Sequence, residues 1–381
     1  MRPPRPAVSP RAAALGLIGV AILCAWTPYN NYKVSATLLG GNQFPVFALF
    51  VLLVLALPIN IVLRRVAPRA AFSSGEMMTV WTMILVASGI PSSGMMRTFI
   101  PSIPAPLFYS DDRNQWQDRV WGALPSWLKM GDMDAAKAFF AGYPRGQEHV
   151  PWGAWLGPLF FWGIFALFFL LASFCMASLL RRQWIENEKF AFPLVTLPLL
   201  IAEEPEQGQS VNRLLRTPLL WIAFTLTTVV HSLRGLHLLY PNVPDIPLEW
   251  DLQGFLTSPP FNQIGRFEAT IYPLVIGISY LLSTEVCFSL WFFFLFYKAQ
   301  IILCATYNWD MPAAYGGFSQ KLFHSLEAFG GALALTGWTL WTARRHLRRV
   351  FDAATLPNSS TDEDRQEMLT YRATFWGLVV A

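Results

Sequence analysis

Apolar runs of membrane-spanning length alternate with charged connectors along this chain. Three of the runs close on an arginine doublet, at Leu63-Arg64-Arg65, Leu180-Arg181-Arg182 and Ala343-Arg344-Arg345. A hydrocarbon core of about 30 Å needs about 20 apolar residues in a helix. The pattern predicts spans over 12–29, 43–63, 76–96, 152–180, 218–240 and 327–342. A seventh apolar block, 271–304, would measure roughly 50 Å as one helix. It is expected to fold into two segments broken near Ser283-Thr284-Glu285. The fold class is therefore an all-α, polytopic transmembrane bundle of about eight spans, with broken or re-entrant helices. A further apolar run, 373–381, begins another span, so the chain reads as the N-terminal part of a longer protein.

Arginines stay on the cytoplasmic side because translocating their charge is costly. The doublets, with Arg2, Arg5 and Arg11 ahead of the first run, place the N-terminus in the cytoplasm. They also impose parity: an even number of crossings must separate Arg182 from Arg344. Two crossings from 271–304 satisfy this. The rival arrangement sends 190–202 across once and 271–304 across as a single helix; Pro193, Pro198 and the short length of 190–202 disfavour it.

The whole chain, 1–381, reads as one transmembrane domain with an extracytoplasmic insertion at 97–151. The insertion balances six basic against six acidic residues and scatters Trp116, Trp121, Trp127, Phe139 and Phe140 among them. Short amphipathic helices against the bundle or the membrane interface are expected there. Ser73-Ser74-Gly75-Glu76 is a capping box at the start of the third run.

Composition agrees. Hydrophobic residues make up 54% of the chain and charged residues 14%, where soluble domains carry about 25% charged residues. The net charge of +4 is an orientation signal rather than a nucleic-acid patch. Cys24, Cys175, Cys287 and Cys304 lie in apolar runs without a C-x-x-C pair, so they read as packing residues and no metal or cofactor is expected. No Walker A loop, H-E-x-x-H or nucleophile elbow is present, and no catalytic residue is assigned.

Three features could carry chemistry. Ser88-Gly89-Ile90-Pro91-Ser92-Ser93-Gly94, followed by Arg97, could unwind the third span and aim backbone groups at a solute; the alternative is that the helix ends there. Glu285, with Tyr280 before it, is an ionisable group in apolar surroundings, a frequent mark of ion or proton routes. Capped by Ser283, it would instead be an ordinary first-turn acid. Lys298 could pair elsewhere or snorkel outward. His231, Arg234 and His237 fall at the outer end of the fifth span; the first two share a helix face and could bind an anionic group or anchor the interface.

Glu188-Lys189-Phe190-Ala191-Phe192-Pro193 resembles the acid-x-x-x-Phe-Pro connector of oligopeptide transporter (OPT) family proteins. Leu194-Val195-Thr196 follows where those transporters carry Ser-Gly-Thr. Tyr280 to Val286, Phe288 to Phe293, Gly330-Gly331-Ala332, Arg344-Arg345-His346-Leu347 and Tyr371-Arg372 resemble segments of an uncharacterised bacterial membrane-protein family distantly similar to those transporters. The resemblance covers most of 73–381 and implies a multi-pass protein of the bacterial inner membrane.

The leading expectation is a secondary transporter, not an enzyme, moving a small solute that the resemblance implies to be peptide-like or a metal chelate. Binding is expected near mid-membrane, between the broken third span and the 271–304 pair. Its partners would be the lipid bilayer and that solute, with no nucleic acid; a homo-oligomer is compatible with the sequence. A membrane-embedded enzyme acting on a lipid-linked substrate, using Arg97, Asp111 and Asp112, is one alternative. A non-catalytic envelope scaffold is the other.

Overall fold

The computed structural model describes residues 8–35, 37–40, 45–91, 95–143, 146, 149–190, 192–206, 209, 211–309, 322–356 and 369–381. They are mostly helical and divide into two compact units. The first comprises Met1–Phe190, Pro198–Val211 and Arg345–Ala381; the second comprises Ala191–Leu197 and Asn212–Arg344.

In the first unit, α1 (Pro10–Pro28) starts at Ser9, whose hydroxyl accepts from the Ala12 amide, with Pro10 at the first helical position. A π-turn carries it on to Val34. Helices α2 (Val46–Val54) and α3 (Asn60–Val66) form one rod across a π-turn at Leu55–Ile59. Pro58 sits in that turn; its missing N–H and its ring disfavour a regular α-helical ladder there.

Helix α4 (Ser74–Ala87) opens with the expected capping box: Ser73 and Glu76 satisfy each other's backbone amides. It ends at Ala87, well before residue 96, because Ser88-Gly89-Ile90-Pro91 turns away. Fourteen residues make roughly 21 Å of helix, short of a full crossing. Helices α1 and α4 run parallel, with Gly16 facing Met83 and Gly19 facing Ile84. Leu23, Leu52, Met77, Val80, Trp81 and Ile84 form the apolar core between α1, α2 and α4.

The 97–151 segment folds into short helices, α5 (Met96–Ser102), α6 (Ala105–Phe108) and α7 (Met133–Ala141). Asp132 caps α7 by accepting from the Asp134 and Ala135 amides. Ile103, Leu107, Met130, Ala135, Ala136 and Trp155 make a separate small core. Phe108 stacks on Phe140 at 4.7 Å. The segment is seated on α8 (Trp152–Arg182), where the Trp162 indole donates to the Leu128 carbonyl at 3.2 Å.

After α9 (Pro193–Ala202) and α10 (Arg213–Arg216), the second unit continues with α11 (Pro218–Leu239). A small antiparallel hairpin follows, β1 (Glu249–Asp251) with β2 (Glu268–Thr270), pairing Trp250 opposite Ala269. The proline-rich 241–268 stretch has no period-two alternation to announce it. Helices α12 (Pro273–Leu281) and α13 (Thr284–Thr306) replace the long apolar block. The break falls at Leu282-Ser283, where the Ser283 hydroxyl accepts from the Val286 amide.

Helix α14 (Leu322–Thr355) is continuous through the third arginine doublet. Arginine is a good helix former, so the doublet can end an apolar face without ending the helix. The last helix, α15 (Tyr371–Val380), returns to the first unit. Among the described residues, five helical segments are long and apolar enough to cross a membrane: Pro10–Val34, Val46–Val66, Trp152–Asn187, Pro218–Leu239 and Thr284–Thr306.

Candidate functional site

The residues singled out in the sequence fall in different units. Ser88 is the C-cap of α4, buried, with its hydroxyl donating to the Leu85 carbonyl at 2.6 Å. Gly89 is exposed in the turn that follows, and Arg97 is exposed on α5. Ser92, Ser93 and Gly94 lie outside the described residues. In the second unit, His231 and Arg234 sit on α11, Tyr280 on α12 and Glu285 on α13. No hydrogen bond or ion pair among the described residues joins these four to one another.

Each has a local environment of its own. Arg234 lies 3.8 Å from the Asp245 carboxylate, and His237 Nδ1 is 2.6 Å from the Val243 carbonyl, so this end of α11 is tied to the turn after it. Tyr280 is almost fully exposed. Glu285 is an exposed first-turn acid two residues after the Ser283 cap, the arrangement that complements a helix N-terminus.

The concentrated polar chemistry of the second unit lies elsewhere, where α13 meets the start of α14. Lys298 is buried about 20 Å along α13, inside an apolar helix. Its ammonium donates to the Arg266 carbonyl at 2.6 Å and the Ile264 carbonyl at 3.2 Å. Gly265 between them has φ +70°, a conformation that favours glycine and lets both carbonyls meet one cation. The Tyr297, Phe294 and Phe267 rings surround the ammonium at 5.3, 5.6 and 6.0 Å, within the range of attraction to a ring face. Among the described residues no carboxylate forms an ion pair with it.

His324 is buried beside this lysine, its ring 4.1 Å from that of Tyr297 and 5.1 Å from that of Phe323. Among the described residues neither ring nitrogen has a hydrogen-bond partner, and the same holds for the buried Gln300 Oε1. Gln300 donates its amide to Glu327 Oε1 at 3.1 Å. Tyr297 and Gln300 share one face of α13, and His324 and Glu327 share one face of α14. A buried polar atom without a partner costs about 1–3 kcal/mol. Three of them at one helix pair leave hydrogen-bonding capacity open to a further partner. An imidazole supplies one donor and one acceptor in its neutral form, and Gln300 adds an acceptor. The sequence reading noticed Lys298 and passed over His324, which no motif announces.

A second buried ionisable group lies in the first unit, where the sequence pattern marks Glu76 as a capping-box acid but not its pairing with Arg11. Glu76 is 1% exposed and its carboxylate is fully engaged. It accepts from Arg11 Nε at 2.7 Å, Arg11 Nη2 at 2.5 Å, Ser9 Oγ at 2.6 Å and the Ser73 amide at 3.0 Å. Arg11 also donates to the Ala70 and Ala71 carbonyls and lies over the Phe72 ring. Asn60 completes the joint by bonding both backbone groups of Phe72. Every acceptor here has a donor, so the cluster is a clasp joining α1 to the α3–α4 connection. The signal was present in outline: a first-turn acid on one apolar run and an arginine at the head of another.

The family model described as "Family of unknown function (DUF6785)" matches residues 2–381, and the chain belongs to that family. No curated protein matches the chain, and no solved structure does.

Proposed function

We propose that this DUF6785 member is a secondary transporter of a small solute, built from about eight spans in a bacterial inner membrane with its N-terminus in the cytoplasm. The observation that carries the reading is the cluster at α13 and α14. A buried cation sits inside an apolar helix, held by carbonyls of an irregular segment, beside a histidine and a glutamine whose buried atoms have no partner among the described residues. Ionisable groups and irregular backbone within membrane helices mark solute and ion pathways more often than they serve packing. The helix breaks after Ala87 and at Leu282-Ser283 support the same reading. A peptide-like or metal-chelate solute follows from the oligopeptide-transporter resemblance alone.

The test is uptake by proteoliposomes carrying the full chain, offered labelled dialanine and labelled iron(III) citrate, with protein-free liposomes as baseline. Uptake of one probe above baseline is expected, falling at least tenfold in Lys298→Met and His324→Leu while both variants stay folded. Loss in Glu285→Gln with Lys298→Met unaffected would move the site to the α12–α13 turn. Baseline uptake of both probes by the unmodified chain would contradict a transporter of these solute classes.

A further inference from the structure

The helices around the end of α8 carry an arrangement that a solute site does not use. The His346 Nε2 atom lies 2.8 Å from the Leu179 carbonyl in the last turns of α8. Leu179, Val350 and Tyr371 form a buried cluster. Nearer the middle of α8, a Cβ placed on Gly377 would lie 2.9 Å from Cys175 Sγ. Moving from Leu179 to Cys175 on α8 therefore matches moving from Tyr371 to Gly377 on α15, so the two helices run antiparallel. The C-terminus of α8 and the N-terminus of α15 lie at one end.

Arginines converge on that end from three helices. Arg181 and Arg182 close α8, Arg372 follows Tyr371 at the start of α15, and Arg345, Arg348 and Arg349 flank His346 and Val350 on α14. The buried side of this part of α14 is His346, Val350 and Ala354. Arg345, Arg348 and Arg349 are exposed, on the other side. Described anionic groups temper the patch: Glu186 pairs with Arg182 at 2.8 Å, and Asp352 lies on α14. Arg345, Arg348 and Arg372 are exposed and make no hydrogen bond or ion pair with described residues. Immediately toward the apolar body of the same helices stand exposed Phe174 and Met176 on α8 and Trp376 and Val379 on α15.

We propose that this end of the first unit is a binding surface for the headgroups of anionic phospholipids. Lipids around this end would lay acyl chains along exposed apolar residues such as Phe174 and Trp376 and set their phosphates against the arginines of the rim. A planar guanidinium matches a phosphate with two parallel hydrogen bonds. Basic groups next to membrane helices attract anionic lipids. The surface stands independently of the solute carried.

The test measures lipid binding to the full chain in detergent by native mass spectrometry, comparing phosphatidylglycerol with phosphatidylcholine of identical acyl chains. Each of the three unpaired arginines contributes about fivefold, the factor equivalent to about 1 kcal/mol per basic residue near the surface. The unmodified chain is expected to prefer phosphatidylglycerol by on the order of a hundredfold. The triple variant Arg345→Gln, Arg348→Gln, Arg372→Gln should bind both lipids alike. The charge-matched control Arg113→Gln, Arg119→Gln, Lys137→Gln should keep the preference. If the triple variant does not fold, Arg348→Gln alone should still lose about fivefold. No preference in the unmodified chain, or an undiminished one in either Arg348 variant, overturns the proposal. Glycerol 3-phosphate binding as tightly as phosphatidylglycerol also overturns it, assigning the arginines to a soluble phosphate.

Discussion

Replacing Glu76 with glutamine tests whether the α1 clasp is as strong as its geometry implies. The carboxylate is buried and takes two hydrogen bonds from Arg11. Hydrogen bonds to charged groups contribute about 1.5–3 kcal/mol each. Two considerations reduce the sum. The Arg11 side chain is 37% exposed, so solvent screens part of the attraction. The guanidinium also keeps the Ala70 and Ala71 carbonyls after the substitution. We expect Glu76→Gln to cost about 2–3 kcal/mol. Arg11→Met should cost more, about 3–5 kcal/mol, because it leaves a buried carboxylate with only Ser9 and Ser73 as donors. Arg11→Met with Glu76→Gln should cost less than the two combined, with a coupling of about 2 kcal/mol. Tryptophan fluorescence during titration of micellar protein with dodecyl sulfate reads all three stabilities. A coupling below about 0.5 kcal/mol would refute the clasp as a stabilising unit.

Other outcomes follow from single contacts. A Cβ on Gly40 would lie 2.9 Å from the Ser88 backbone carbonyl, which cannot swing aside as a side chain can. Gly40→Ala should therefore lower stability in the same titration by about 1–3 kcal/mol. Gly265→Ala strains a φ of +70° and turns the carbonyls away from Lys298; we expect a loss of about 1 kcal/mol and reduced uptake. Ser283→Ala removes the cap of α13 and should cost about 1 kcal/mol without abolishing uptake, which would separate a helix cap from a transport role for Glu285.

Local rules made much of the architecture legible. Ser73 and Glu76 announce the start of α4, Pro218 opens α11, and the length of the 271–304 block demands a break, which falls at Leu282-Ser283. Signals that act through tertiary structure were not legible in that way. The Arg11–Glu76 pair joins residues 65 positions apart. Two lysine acceptors come from the segment before β2, where no periodicity marks an element. His324 belongs to no motif, and it stands out because its buried ring nitrogens have no partner among the described residues. Glu285 drew attention by standing in an apolar run, yet a serine two residues earlier was enough to make it a helix-terminal acid.

Uptake by proteoliposomes carrying Lys298→Met, run beside the unmodified chain with labelled dialanine and iron(III) citrate, tests the central claim most directly. Methionine keeps most of the lysine's length and apolar stem, so the helix pair should stay packed while the cation is removed. The account predicts uptake of one probe by the unmodified chain and a drop of at least tenfold in the variant. Equal uptake by the two proteins would contradict it.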